Sequence, residues 1–226
     1  FTGGEAAINR QLPEMVRLCK QHHIECVSIT SNGTLPPETY LALVDAGIDE
    51  IRISLDAADE LLGRSLTLRK NAWASAVSTI RTLSEARDQG ANFSLIINAV
   101  IGVANRHQLD QLVSFFISLA PDDIKLITEV DQRDHLGSFQ AAHEKLSAVE
   151  TLLSTYEQSC FPLLRRKLKT VFSVTSVGLE SIQKNPSSPW RCYIPLTERT
   201  IDRTHYYPCS VYLRENGDPI GSLDDP

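Results

Sequence analysis

Residues 93–101 read Phe-Ser-Leu-Ile-Ile-Asn-Ala-Val-Ile, a nearly continuous apolar run. Such a run predicts a β-strand that is buried on both faces, as strands of a parallel sheet are. A helix is expected before it, because apolar residues recur there at helical spacing: Trp73, Val77, Ile80 and Leu83. Gly90 is expected to end that helix. After the run, Asn105 and Gln108 resemble a capping box that opens a second helix face: Leu109, Leu112, Val113 and Phe116.

The same alternation extends in both directions from this segment. Further strands are expected at residues 24–30, 50–55 and 123–128. Further helices are expected at residues 7–22, 36–47 and about 139–157. Strands that alternate with helices predict an α/β fold with a parallel sheet and right-handed crossovers. Two architectures stay open, a doubly wound sheet and a (β/α) barrel that is closed or partial, and both bind ligands at the carboxyl ends of their strands.

Polar residues gather at the expected strand ends. Gly3-Gly4-Glu5 forms a glycine-rich turn before the first helix, and a turn of this kind needs a strand in front of it, so we expect the chain to be a fragment of a larger enzyme. Later strand ends carry further polar groups: Thr30 to Thr34, Ser54 with Asp56, Asn98, and Lys125 with Thr128. Each group alone also fits an ordinary turn or cap. Their shared placement favours a ligand site.

Composition narrows the functional classes. The chain has 226 residues, of which 42% are hydrophobic and 22% charged, enough for a globular domain with a sizeable core. The net charge is −6 and there is no basic run, so no nucleic-acid partner is expected. No apolar run has the length of a membrane span, so no membrane partner is expected either. Five cysteines at irregular spacing argue against a secreted disulfide framework and for a reducing, cytoplasmic location.

Four motifs resemble the radical S-adenosylmethionine (SAM) superfamily in their order and spacing. They are Phe-Thr-Gly-Gly-Glu (1–5), Thr-Ser-Asn-Gly-Thr (30–34), Ile-Arg-Ile-Ser-Leu-Asp (51–56) and Ile-Asn-Ala-Val-Ile-Gly (97–102). The closest likeness is to the branch that includes the molybdenum-cofactor cyclase and the SPASM and twitch maturases. It covers about residues 1–130. The resemblance implies a partial (β/α)6 barrel of the TIM type, open on one side and truncated here at its amino end.

The resemblance implies that seven residues at matching positions bind SAM: Gly3, Gly4, Glu5, Ser31, Ser54, Asp56 and Asn98. The glycine turn and its glutamate match the segment that binds the methionyl amino group. Ser31 matches a small polar residue near the methionine moiety. Ser54 and Asn98 match positions that contact bound SAM, and Asp56 completes the Ser-x-Asp motif.

The chain departs from the family pattern at three places. Ala6 replaces the usual proline after Gly-Gly-Glu, and Ile96 stands where some members carry a SAM-binding lysine. The family's Cys-x3-Cys-x2-Cys loop, which holds a [4Fe–4S] cluster, would lie before Phe1, and no cysteine triplet of this spacing occurs in the chain. The resemblance therefore implies that this fragment binds SAM weakly at best and does not cleave it.

A change of pattern at Ser173 predicts a domain boundary. The radical SAM core is expected at residues 1–172 and a linker with a small β-rich extension at residues 173–226. The segment from Thr204 to Leu213, with Asn216-Gly217 after it, predicts a β-hairpin. By resemblance to SPASM and twitch extensions, Cys192 and Cys209 are expected to ligate an auxiliary iron–sulfur cluster. Two structural cysteines and a zinc site are the alternatives.

The resemblance implies that the intact protein is an enzyme that cleaves SAM reductively at a [4Fe–4S] cluster. The resulting 5′-deoxyadenosyl radical would abstract hydrogen from a peptide or small-molecule substrate. A peptide maturase is the leading expectation, with an electron donor such as flavodoxin or ferredoxin. Two other classes stay open: a barrel-derived binding or scaffold protein that has lost its cluster, and a metal-independent barrel enzyme.

Overall fold

The computed structural model of the chain describes residues 1–67, 69–128, 145–171, 200–202, 204–208, 213 and 217–224. Contacts divide the chain into two units, Phe1–Thr175 and Ser176–Pro226. A parallel sheet with its helices forms the first unit, and a small antiparallel sheet lies in the second. No helix in the described residues is both long enough and apolar enough to cross a membrane.

The first unit is built on a parallel sheet with the strand order β1-β2-β3-β4. The strands are β1 Ser28–Ser31, β2 Glu50–Ser54, β3 Ser94–Ile101 and β4 Asp123–Thr128. Phe1 extends this sheet beside β1, because its amino group donates to the Ser28 carbonyl (2.6 Å) and its carbonyl accepts from the Thr30 N–H (3.0 Å). The predicted parallel α/β arrangement is confirmed, although β1 begins at Ser28 and not at residue 24.

Seven helices surround this sheet in the described residues. They are α1 Leu12–Gln21, α2 Pro37–Asp45, α3 Glu60–Thr67, α4 Ala72–Asp88, α5 Leu109–Ser118, α6 Leu146–Leu153 and α7 Pro162–Val171. Short 3-10 turns occupy Ala6–Ile8 and Arg106–Gln108. Helix α3 was not expected from the sequence. Gly47 and Gly90 end α2 and α4 as predicted, each with a positive φ (91° and 102°) that a glycine adopts without a steric penalty.

The two faces of the sheet differ in chemistry. Side chains alternate between faces along each strand, and the register aligns like positions in rows. One face packs into the hydrophobic core: Ile29, Ile51, Ile53, Leu95, Ile97, Ile124 and Leu126. The opposite face carries a polar set: Thr30, Arg52, Ser54, Asn98 and Lys125. Because polar groups without a core function collect there, this face is the place to search for a ligand site.

The second unit contains an antiparallel sheet of three short strands, β5 Thr200–Ile201, β6 His205–Tyr207 and β7 Gly221–Ser222. Strand β6 pairs with both neighbours. Strand β6 lies within the hairpin segment expected from Thr204 to Leu213, and its partner β7 begins after Asn216-Gly217. Residues 209–212 of that segment lie outside the described residues. Cys192 and Cys209 lie outside the described residues.

Candidate functional site

A cleft of about 440 Å³ opens at the carboxyl ends of β1 and β2. It gathers residues from three of the four sequence motifs: Glu5, Asn32, Thr34, Ser54 and Asp56. Its far wall comes from α3, α4 and the loop between them: Gly63, Leu66, Thr67, Arg69, Ala72, Trp73 and Ala76. Sequence segments far apart in the chain thus meet at one cavity, as expected for strand ends of a parallel sheet.

Glu5 joins the first two loops of this rim. One carboxylate oxygen accepts from the Ala7 N–H (3.0 Å) and so caps the 3-10 turn Ala6–Ile8. The other oxygen accepts from the Asn32 N–H (2.7 Å) in the loop after β1. The carboxylate therefore fixes the loop that follows β1 against the glycine turn and leaves its negative charge at the cleft.

Ser31 supports the loop after β1 from behind the cleft. Its side chain is buried, and its Oγ lies 2.8 Å from the Tyr40 hydroxyl and accepts from the Gly33 N–H (3.1 Å). The Thr79 hydroxyl donates to the Gly33 carbonyl (2.9 Å). A Cβ on Gly33, whose φ is 69°, would lie 2.8 Å from a methyl carbon of Ile53, so only glycine fits. Ser31 is not among the residues that line the cleft.

Ser54 and Asn98 are cross-strand neighbours on the polar face of the sheet. Ser54 lines the cleft, while Asn98 is 8% exposed and lies one strand further along the same row. The Asn98 Oδ1 atom is buried and has no hydrogen-bond partner among the residues that the structure describes. A buried amide oxygen without a partner is unfavourable by itself, so this atom fits a ligand that donates a hydrogen bond.

Strand β3 continues beyond the last residue of β2. At this point the side chains of Asp56 and Asn105 form hydrogen bonds in place of backbone bonds between the two strands. The Asp56 Oδ1 atom accepts from the Val100 N–H (2.7 Å), and burial raises the pKa of this carboxyl above its ordinary value. The Asn105 amide donates to the carbonyls of Asp56 and Val100, both at 2.8 Å, and its oxygen accepts from the Gly102 N–H (2.9 Å). The predicted capping box at Asn105 is therefore wrong, since strand ends and not a helix end hold this side chain.

Trp73 is fixed as a wall of the cleft. Its indole N–H donates to the Ala57 carbonyl (2.9 Å), and its ring stacks on Phe115 with centroids 5.7 Å apart. Gly63 of α3 approaches so closely that a Cβ there would lie 2.5 Å from Trp73 Cδ1. Since one ring face and the N–H are engaged, the indole holds its position beside the cavity.

Comparison with known proteins identifies the family of this chain. A model of the Radical SAM superfamily matches residues 1–116, just over half of the chain. The chain belongs to the radical SAM superfamily. This family uses SAM together with a [4Fe–4S] cluster. The matched residues contain all four motifs and every residue that lines the cleft.

Radical SAM enzymes also stand among its relatives in sequence. The chain is 30% identical to the probable GTP 3′,8-cyclase of Sulfurisphaera tokodaii over 153 residues, which are 68% of this chain and 47% of that protein. It is 43% identical to the GTP 3′,8-cyclase of Chlorobaculum tepidum over 70 residues, 30% of this chain and 21% of that protein. The chain spans about half the length of these curated relatives or less.

A solved structure extends the likeness to the fold. SuiB of Streptococcus suis, bound to SAM, superposes with a TM-score of 0.67 at 17% identity and covers 99% of this chain and 51% of its own. At this identity the likeness concerns the fold. With the parallel sheet described above, it confirms the radical SAM partial barrel and excludes the doubly wound alternative.

The structure places the seven expected SAM-binding residues around one end of the sheet but not equally close to the cavity. Glu5, Ser54 and Asp56 line it, and Ser31 and Asn98 lie behind or beside these. Gly3 and Gly4 have positive φ values (92° and 51°), and a Cβ on either would meet no atom within 4 Å, so the space beside both glycines is empty. This space and the Asn98 oxygen, which has no partner within the described residues, leave room and an acceptor for a ligand.

Two residues that line the cleft, Trp73 and Arg69, were not expected there from the sequence. In the sequence, Trp73 serves only as one residue of a helical repeat, and Arg69 lies in a short loop without any motif. No group of three or more His, Cys, Asp or Glu side chains that could hold a metal ion occurs within the described ranges. The auxiliary-cluster role of Cys192 and Cys209 therefore stays a prediction.

Proposed function

We propose that this chain is the SAM-binding part of a radical SAM enzyme and that SAM occupies the cleft at the strand ends. The observation that carries the proposal is the cleft of about 440 Å³, which gathers Glu5, Ser54 and Asp56 from three separate motifs. Two carboxylates and a serine at one cavity suit a ligand with positive charge and several hydrogen-bonding groups.

Each residue has a distinct role in this proposal. The backbone carbonyls of Gly3 and Gly4 and the Glu5 carboxylate accept from the methionyl amino group, and the space beside both glycines is empty. Ser54 and Asn98 donate to or accept from SAM along the polar row, and the buried Asn98 oxygen gains its missing partner. Ser31 acts indirectly, because its hydroxyl is held between Tyr40 and Gly33.

SAM and a reduced [4Fe–4S] cluster together supply a 5′-deoxyadenosyl radical that abstracts hydrogen from a substrate. This chain's residues bind and orient SAM, while Trp73, Leu66 and Leu55 form an apolar wall that limits water near the reacting atoms. The electron reaches the intact protein from a donor such as flavodoxin or ferredoxin. A reducing cytoplasm, where reduced clusters persist, is the proposed location.

We propose a peptide as the substrate. SuiB was also solved with its precursor peptide SuiA, and that structure superposes on 99% of this chain with a TM-score of 0.66. The span of this likeness includes the residues of the second unit, which we propose to be the start of a SPASM- or twitch-like extension with Cys192 and Cys209 on an auxiliary cluster. A small-molecule substrate is the second candidate, favoured by the 30% identity to a probable GTP 3′,8-cyclase.

The proposal is tested on the full-length protein after anaerobic reconstitution. Iron and sulfide are quantified, and 5′-deoxyadenosine formation from SAM is measured with a strong reductant. Product formation is expected, with iron beyond the content of one four-iron cluster. A well-folded protein that holds neither iron nor SAM would leave a scaffold role and would sink the catalytic proposal.

The substrate candidates are separated in the same assay. Peptides encoded beside the gene and GTP are added in parallel reactions, and the mass of each is followed. Loss of hydrogen mass from a peptide, coupled to 5′-deoxyadenosine, supports the maturase. Consumption of GTP without a change in peptide mass would instead identify GTP as the substrate. A Cys192→Ala and Cys209→Ala double variant with full iron content would reduce both residues to structural cysteines.

A further inference from the structure

The cleft lining carries three charged side chains, Glu5, Asp56 and Arg69. Arg69 lies between α3 and α4 and is the single basic residue among the described residues that line the cavity. Its side chain is exposed. No hydrogen bond or ion pair joins its guanidinium to another part of the chain that the structure describes. The charge of Arg69 is therefore available to a ligand.

The charges of the cleft mirror those of SAM. The methionyl part of SAM carries two positive groups, an ammonium and a sulfonium, and one carboxylate. The cleft offers two carboxylates and one guanidinium. A guanidinium presents paired N–H donors that match the geometry of a carboxylate. The two acidic side chains cannot pair with the carboxylate of SAM, and this is the group that Arg69 is suited to bind.

Other basic side chains near the sheet do not offer this charge. Arg52 lies on the polar face but forms an ion pair with Glu50. Lys125 follows in the row of Asn98 and is not part of the cleft lining. Ile96, at the position where some family members carry a SAM-binding lysine, is buried and apolar. Within the described residues, this leaves Arg69 as the cation at the cavity.

We propose that Arg69 binds the carboxylate of SAM and replaces the lysine that is absent at Ile96. This assignment rests on the proposed function, since it needs SAM in the cleft. It makes the loop between α3 and α4 a part of the cofactor site, joined to the wall formed by Trp73. Arg69 thereby determines whether a ligand with or without a carboxylate is preferred.

The test compares SAM with decarboxylated SAM, which keeps the sulfonium and the ammonium but has no carboxylate. Binding of both ligands to the reconstituted full-length protein is measured by calorimetry for wild type, Arg69→Gln and Arg69→Lys. We expect Arg69→Gln to weaken SAM about tenfold, the effect of one charged hydrogen-bonding group, and to leave decarboxylated SAM unchanged. Arg69→Lys is expected to recover part of the loss because it restores the charge.

Arg64→Gln is the matched control, because Arg64 is an exposed arginine of α3 outside the cleft lining. It should bind both ligands like wild type. Equal SAM binding by wild type and Arg69→Gln would overturn the assignment while the proposed function stands. Equal weakening of both ligands by Arg69→Gln would also overturn it and show a structural role. Absence of SAM binding by the wild type would overturn the assignment and the proposed function together.

Discussion

At the amino ends of the strands, the carboxylates of Asp49, Asp122 and Asp123 are held by partners within the protein. At the carboxyl ends, Asp56 accepts from the Val100 N–H alone and the Asn98 Oδ1 atom accepts no hydrogen bond within the described residues. Asp49 accepts from Lys20 (2.8 Å to both oxygens) and from the Val27 N–H. Although burial opposes it, these hydrogen bonds and the Lys20 charge hold the pKa of Asp49 below its ordinary value.

The carboxyl ends show the reverse electrostatic pattern. Burial raises the pKa of Asp56, and the single N–H of Val100 offsets only part of that effect. The Asn98 oxygen has no partner within the described residues. The carboxylates at the amino ends are thus tied into the protein more completely than Asp56 and Asn98 at the carboxyl ends, where the proposed function needs atoms for a ligand.

The largest effect is expected from a substitution at the amino ends of the strands. The Asp123 carboxylate accepts from the N–H groups of Leu163 (2.8 Å) and Leu164 (3.3 Å), and so β4 caps the first turn of α7. We expect Asp123→Ala to lower the free energy of unfolding by about 3 kcal/mol, because buried amides lose a charged acceptor. Urea denaturation measures this change.

A control variant and a measurement of SAM binding test the same prediction. Asp88→Ala is the control, since Asp88 is an exposed partner of Arg87 and should change stability by less than about 0.5 kcal/mol. SAM affinity of the folded Asp123→Ala variant should equal that of wild type. A loss of SAM affinity without a loss of stability would contradict the division of labour between the two ends.

The next effect concerns the carboxyl end. We expect Asn98→Leu to weaken SAM binding about tenfold, because it removes the amide that the proposed function places in contact with SAM. Its free energy of unfolding should equal that of wild type or exceed it by up to about 1 kcal/mol, since an unpartnered buried oxygen is removed without a large change of volume. Calorimetry and urea denaturation on the same samples measure both quantities.

Asn92→Leu serves as the control for Asn98→Leu, because Asn92 is exposed and lies just before β3. It should alter neither quantity. A fall in stability of Asn98→Leu by more than about 2 kcal/mol would show that the Asn98 side chain has a structural partner, and the contrast between the two ends would lose its support.

Short sequence patterns predicted those strands and helix ends that depend on neighbouring residues. The apolar run at residues 94–101 is β3, and Gly47 and Gly90 end helices through backbone conformations that glycine favours. Asn105 shows the limit of such reasoning. Asn-x-x-Gln is a capping pattern, but the Asn105 side chain forms hydrogen bonds with backbone carbonyls near the ends of β2 and β3.

Sequence motifs located part of the cleft lining. Glu5, Ser54 and Asp56 stand in recognisable segments and line the cleft. Arg69 has no motif, and its role depends on how α3 places the following loop. The cap that Asp123 provides spans 40 residues of sequence, so no short pattern contains it. Residues that act through long-range contacts therefore required the structure.

The smallest expected effect concerns the pH dependence that Asp56 confers. Because its folded pKa lies above that of the unfolded chain, the folded state binds the proton more tightly. The contribution of Asp56 to stability should therefore fall as pH rises from the unfolded pKa through the raised folded value, and it should be level above that window. Asp56→Asn keeps an oxygen for the Val100 N–H and removes the ionisation, so this fall should vanish.

Urea denaturation of wild type and Asp56→Asn at a series of pH values from 2 to 8 tests this sign. The stability of the variant relative to wild type should increase with pH through the window and then stay constant. Asp49→Asn should give the opposite trend, because the lowered pKa of Asp49 stabilises the folded state above the unfolded pKa, and this contribution disappears as pH falls. If both variants followed the same trend, the two ends of the sheet would not differ in how they hold their carboxylates.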